Sequence, residues 1–154
     1  MLAGAGCLEE PAWFASVTDQ GYVVLWQGEE IPEEIRVAFD DAIDRSYFEL
    51  AKYGLSLERF ELEAGAIQYY VQPGAFRSKS SSTGWAAGQA YLDYRVIEIA
   101  WWIPDNPKTA PALGHEIGHF IWGPSFEHGW TPPLVMGWKR RTEGELCRKA
   151  VVES

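Results

Sequence analysis

The chain lacks a basic stripe. It carries 13 Lys and Arg against 22 Asp and Glu, a formal net charge of −9, and its pI is near 4.8. A nucleic-acid partner requires clustered positive charge. The densest basic run, Lys139-Arg140-Arg141, reads as the solvated start of a helix, so no nucleic-acid partner is expected. The chain also lacks a long apolar run. No stretch approaches the roughly 18 residues of a membrane-spanning helix, and no span is expected. Internal repeats are missing, and the one low-complexity piece, Arg77 to Gly84, reads as a polar surface loop. Cysteine is nearly absent, with only Cys7 and Cys147. A bridge between them would join the two ends of the chain and stabilise by roughly 5 kcal/mol in chain-entropy terms; two unpaired thiols is the other reading. Apolar residues, by contrast, are plentiful. At 47% hydrophobic and 14% aromatic the chain can bury a core, which excludes a disordered chain and fits one domain.

Residues 1–19 read as an N-terminal arm, anchored by Trp13 and Phe14. Met1 to Cys7 resembles the small-residue end of a signal segment, which would imply a secreted or cell-envelope location. A disordered start and a cytoplasmic location are the alternative. The main domain is expected over 20–151. Tyr22 to Trp26 is β-branched and aromatic between glycines, the pattern of a strand. Pro32 opens a helix whose apolar stripe includes Ile35, Phe39, Ala42, Ile43, Leu50 and Tyr53, with Gly54 as its stop. Asp40, Asp41 and Asp44 fall on the face expected to be wet. Alternation predicts strands over 57–63 and 66–72, then over 89–92 and 95–103 with Asp93-Tyr94 as the turn. Thr109 and Pro111 start a helix that Gly123-Pro124 stops, giving 109–122. An irregular stretch, 123–138, and a short helix, 141–151, follow. The expected fold is α+β, a single domain. A twisted mixed sheet packs on a long helix and an active-site helix, with a small C-terminal subdomain ending in the short helix.

The helix over 109–122 contains His115-Glu116-Ile117-Gly118-His119. Two histidines four apart on a helix lie one turn apart on one face, about 5–6 Å between Cβ atoms. Both imidazoles can then reach one zinc ion at about 2.0–2.1 Å. Glu116 lies about 100° further round the helix, placed to handle the proton of a water that zinc acidifies to a pKa of about 7. All three histidines of the chain fall between 115 and 128. A catalytic zinc takes three protein ligands and an open position, and His128, beyond the Gly123-Pro124 break, is the candidate third.

The succession of strand, long helix, strands, His-Glu-x-x-His helix, glycine, third histidine and methionine resembles the metzincin clan of zinc endopeptidases, and within it the matrixin-type enzymes. The resemblance covers about residues 20–151 and rests on His115 to His119, Gly123, His128 and Pro133-Leu134-Val135-Met136. It implies a zincin-like fold, one catalytic Zn2+ on His115, His119 and His128, and Met136 packed under the metal. Gly123 stands four residues after His119 and His128 nine after, a turn about three residues longer than the family's. Trp138 stands where some clan members carry a catalytic tyrosine. An alternative third ligand is Glu143 or Glu145 on the last helix, as in thermolysin-like enzymes.

The expected function is zinc-dependent endopeptidase activity on a polypeptide substrate, with Glu116 as general base and the chain a monomer. Substrate would lie as an added strand beside 89–99, contacting Gln89 and Tyr91, with Leu134, Val135 and Trp138 lining an apolar pocket. Cys7 is the one candidate thiol for latency. The non-enzymatic alternative is a zinc-stabilised binding module, suggested by the many tryptophans. Glu116 speaks against it, because structural zinc needs no base.

Overall fold

The β-branched and aromatic residues near the start form a hairpin. In the computed structural model, which describes residues 12–74, 76–78, 84–101 and 109–126, β1 (Trp13–Val17) pairs antiparallel with β2 (Val23–Gln27). The expected arm therefore contributes a strand to the sheet. Gly21 takes a φ of 96° at the turn, a conformation glycine adopts without a Cβ penalty, and its N–H donates to the Thr18 carbonyl at 2.9 Å.

Helix α1 (Glu33–Ala51) starts where Pro32 predicts, with Glu33 and Glu34 in the first turn. Gly54 follows it with a φ of 87°. The predicted stripe is buried at Ile35, Phe39, Ala42, Ile43 and Leu50, whereas Tyr53 is 48% exposed. Asp40 differs from expectation. It is buried, not wet, because residues just before β2 cover it: the Gln20 N–H donates to its Oδ2 at 3.0 Å.

Residues expected as a strand over 57–63 form helix α2 (Leu57–Gly65). The two-residue alternation of Phe60 and Leu62 is outweighed by a cap and a helical pair. The Arg59 N–H donates to Ser56 Oγ at 3.2 Å, and Phe60 and Ala64, one turn apart, are buried while Leu62 is 73% exposed.

The chain then forms β3 (Gln68–Gln72), a short hairpin of β4 (Phe76–Arg77) and β5 (Trp85–Ala86), and strands β6 (Gly88–Tyr91) and β7 (Val96–Ala100). A 3-10 turn over Leu92–Tyr94 joins the last two, and Arg95 takes φ 53°. Helix α3 (Thr109–Trp122) has the predicted boundaries. The main sheet runs β1-β2-β3-β7-β6. Its three central strands are parallel, and β1 and β6 are antiparallel edges. The described residues thus form one mixed α+β domain with a mixed sheet and three α-helices.

The helices lie on one face of the sheet. Val24, Tyr69, Val71, Ile97, Ile99 and Trp101 meet Phe39, Ile43, Leu113 and Ile117 there. Each large side chain so buried contributes about 1.5–3 kcal/mol. Helices α1 and α3 approach closely at Gly114, where a Cβ would lie 3.4 Å from the Cα and Cβ of Ser46. On the opposite face Trp13 sits edge-on to Tyr70, with centroids 4.9 Å apart. Buried Glu98 there accepts from Gln72 Nε2 at 2.7 Å and from the Tyr91 hydroxyl at 3.1 Å. The expected C-terminal subdomain, the helix over 141–151, and Cys7 and Cys147 lie outside the described residues.

Candidate functional site

Helix α3 is held by its own apolar face. Leu113 and Ile117 are fully buried between α1 and the sheet, which turns His115 and His119 away from the core. The two rings are 4.7 Å apart at 85°, and their Nε2 atoms converge to 3.2 Å. His119 Nδ1 lies 3.1 Å from the Gly123 carbonyl oxygen. A carbonyl only accepts, so Nδ1 carries the proton, and in the neutral ring Nε2 keeps its lone pair. A hydrogen bond of this kind holds the ring in place and fixes its tautomer, leaving Nε2 able to bind a metal. Two nitrogens each at about 2.0–2.1 Å from one tetrahedral zinc would be roughly 3.3 Å apart. The observed separation fits. Among the described residues no three His, Cys, Asp or Glu side chains converge.

Glu116 turns the other way, toward the edge of the sheet. It is buried, and the Ala90 backbone N–H of β6 hydrogen-bonds to its carboxyl. Gly88 lies against it: a Cβ there would sit 3.0 Å from Glu116 Cγ and 3.2 Å from Oε2. Burial pushes this carboxyl from 4.5 up to about 8, with the Ala90 bond opposing. Without a cation nearby, Glu116 is mostly protonated at neutral pH; a dication beside it favours the carboxylate.

The chain after α3 folds back onto the histidine side. Gly123 takes φ 103°, its N–H donates to the His119 carbonyl at 2.9 Å, and the Phe126 N–H donates to the Gly123 carbonyl at 3.2 Å. The Phe126 ring occupies the space over Gly118, where an added Cβ would run into Cε2 and Cδ2 of the ring. It is 6.1 Å from the His115 ring and 6.2 Å from that of His119. Trp122 stacks on it at 4.8 Å and Tyr53 meets it edge-on at 6.1 Å. An aromatic wall therefore borders the histidine pair. The guanidinium of Arg59 donates to the Ile121 carbonyl at 3.2 Å, satisfying an otherwise open group in the last turn of α3.

His115, Glu116 and His119 thus lie together on α3. His128, Leu134, Val135, Met136, Trp138, Glu143 and Glu145 lie outside the described residues. Gln89 and Tyr91 belong to the edge strand, but their side chains are on the face away from α3. Gln89 Oε1 accepts from Ser78 Oγ at 2.7 Å, and the Tyr91 hydroxyl reaches Glu98. Sequence reasoning missed Gly88, Ala90 and Phe126. Strand alternation carries a signal for the first two, since residues on either side of Gln89 face oppositely to it. Phe126 had the signal of a Gly-Pro break followed by an aromatic residue. Compared with protein-family models, curated proteins and solved structures, the chain shows no significant match to any of the three.

Proposed function

We propose that the chain is a zinc-dependent endopeptidase with a zincin-like fold of the metzincin type. The observation that carries this reading is the convergence of His115 and His119 Nε2 at 3.2 Å beside a buried glutamate that touches β6, an edge strand of the sheet among the described residues. His115 and His119 would hold the zinc. The seating of Phe126 on Gly118 supports His128 as the third ligand, because two further residues span at most about 7 Å of chain. Glu143 or Glu145 is the alternative.

A zinc ion in such a site supplies Lewis acidity, which polarises the scissile carbonyl and acidifies water. The chain's own residues do the rest. Glu116 takes the proton of the attacking water and delivers it to the leaving amine as the C–N bond breaks. The hydrogen bond from His119 Nδ1 to Gly123 holds that ring in place. The backbone of β6, an edge of the sheet, binds the substrate in extended form by hydrogen bonds. The family resemblance implies that Leu134, Val135 and Trp138 would line an apolar pocket and that Met136 would pack under the metal, and the enzyme would act as a monomer. Among the described residues no helix is long and apolar enough to cross a membrane.

Metal analysis and a peptidase assay test the reading together. The expected result is one zinc per chain, lost in His115→Ala and His119→Ala, and cleavage of an unstructured protein. Glu116→Gln should keep the zinc and lose about 10²–10⁴ in rate. Full activity in Glu116→Gln would overturn the assignment of the base. Zinc bound with no hydrolysis by the unaltered chain would favour a zinc-stabilised binding module.

A further inference from the structure

Among the described residues strand β6 is an edge of the sheet, beside Glu116, and its hydrogen-bond phase decides which residues meet that side chain. The Ala100 N–H donates to the Ala87 carbonyl at 2.8 Å. In an antiparallel pair, hydrogen-bonded and non-hydrogen-bonded positions alternate. With Gly88 opposite Ile99, Gln89 opposite Glu98 and Ala90 opposite Ile97, Gln89 and Tyr91 bond into the sheet. Gly88 and Ala90 direct their backbone groups to the open edge. One of those groups, the Ala90 N–H, is taken by the Glu116 carboxyl.

Gly88 completes the contact. Its φ is not positive, so backbone conformation does not require a glycine there. Space does: an added Cβ would meet Glu116 Cγ at 3.0 Å, Glu116 Oε2 at 3.2 Å and Ile99 Cδ1 at 3.3 Å. Ile99 is fully buried in a packed core that yields little. Glu116, a longer side chain on the site side, has to give way.

We propose that Gly88 and Ala90 are positioning residues for Glu116: Ala90 holds the carboxyl through its outward N–H, and Gly88 leaves the space in which the side chain lies. The seat is a property of the metal-free fold. Its catalytic consequence rests on the peptidase reading above.

Hydrogen exchange followed by NMR on the full chain, metal-free, tests the seat directly. The Ala90 amide should exchange slowly although it faces the open edge. In Gly88→Ala it should exchange roughly tenfold faster or more, with Gln89 and Tyr91 unchanged. An Ala90 amide equally protected in Gly88→Ala would overturn the proposal, as would one exchanging like an exposed amide in the unaltered chain. A second variant covers general loosening of the strand. In a Glu116→Ala background the seat is empty, so Gly88→Ala should lower Tm by less than it does in the unaltered chain. An equal loss in both backgrounds would also overturn it. For the zinc-loaded enzyme, Gly88→Ala should lower kcat about ten- to a hundredfold with little change in KM or zinc affinity. A raised KM with unchanged kcat would refute the positioning role. Inactivity of the unaltered chain would remove the peptidase reading alone, and the amide and Tm measurements would still decide the seat.

Discussion

Glu116 ties the metal-free fold to pH in a direction opposite to that of most carboxylates. Its carboxyl is pushed from 4.5 up to about 8 by burial, so the folded state favours the protonated form. The corresponding stability is fully present below pH 4.5. It falls as pH rises from there and is lost once pH passes about 8. Each tenfold change in proton affinity is about 1.4 kcal/mol, so the interval from 4.5 to about 8 gives an upper bound of roughly 5 kcal/mol. Water entry and side-chain relaxation reduce the penalty of a buried charge, and about 2–3 kcal/mol is expected. At about 2–4 °C per kcal/mol for a chain of this size, that is roughly 5–10 °C in Tm. The perturbation is Glu116→Gln, which keeps the shape and removes the titration. The assay is thermal unfolding of both proteins from pH 5 to pH 9 with metal stripped by a chelator. The variant should gain on the unaltered chain as pH rises. Saturating zinc should shrink the gap, because a dication stabilises the carboxylate. Parallel Tm–pH curves for the two metal-free proteins would refute the argument that burial keeps Glu116 neutral.

Further outcomes follow from the packing. Gly118→Ala puts a methyl group inside the Phe126 ring position; it should cost about 1–3 kcal/mol, read by denaturant unfolding, and weaken zinc binding by disturbing the chain beyond Gly123. Phe60→Ala should destabilise by about 3–5 kcal/mol, whereas Leu62→Ala, at a side chain 73% exposed, should change stability by less than about 0.5 kcal/mol. Equal losses at the two positions would contradict the helical reading of 57–65. Ser56→Ala removes the cap that Arg59 N–H uses and should cost about 1 kcal/mol, measured in the same unfolding series.

Local signals were legible where they agreed with one another. Helix α3 has a proline near its start, a Gly-Pro break after its end and an apolar face between them, and its boundaries are those predicted. Helix α1 was similarly marked by Pro32 and Gly54. Helix α2 was not, because a nine-residue element offers few periods. Phe60 and Leu62 satisfy a strand template as well as Phe60 and Ala64 satisfy a helical one, and only the sheet and α1 decide which pair is buried. Asp40 shows the same limit for charge. Its helix face looks solvated until the chain entering β2 lays the Gln20 N–H on it, a contact between residues 20 apart.

The candidate site divides along the same line. His115, Glu116 and His119 are neighbours within one helix, so spacing alone brings the imidazoles to one face. What surrounds Glu116 comes from residues 26 and 28 positions earlier, and no local period predicts it. The choice between Gln89 with Tyr91 and Gly88 with Ala90 as the residues facing the site is a choice of strand phase. Polar and aromatic side chains suggest the first pair. The phase is instead set by the burial of Ile97 and Ile99 on β7, which fixes the helix side of that strand; the register with β6 then turns Gly88 and Ala90 to the same side. A one-residue slip would exchange the two pairs and put Gln89 against Glu116. The smallness of Gly88 is therefore part of how Glu116 is accommodated: the edge strand leaves room for a carboxyl at Gly88 and offers it the Ala90 backbone donor, and a larger residue at position 88 would take that room.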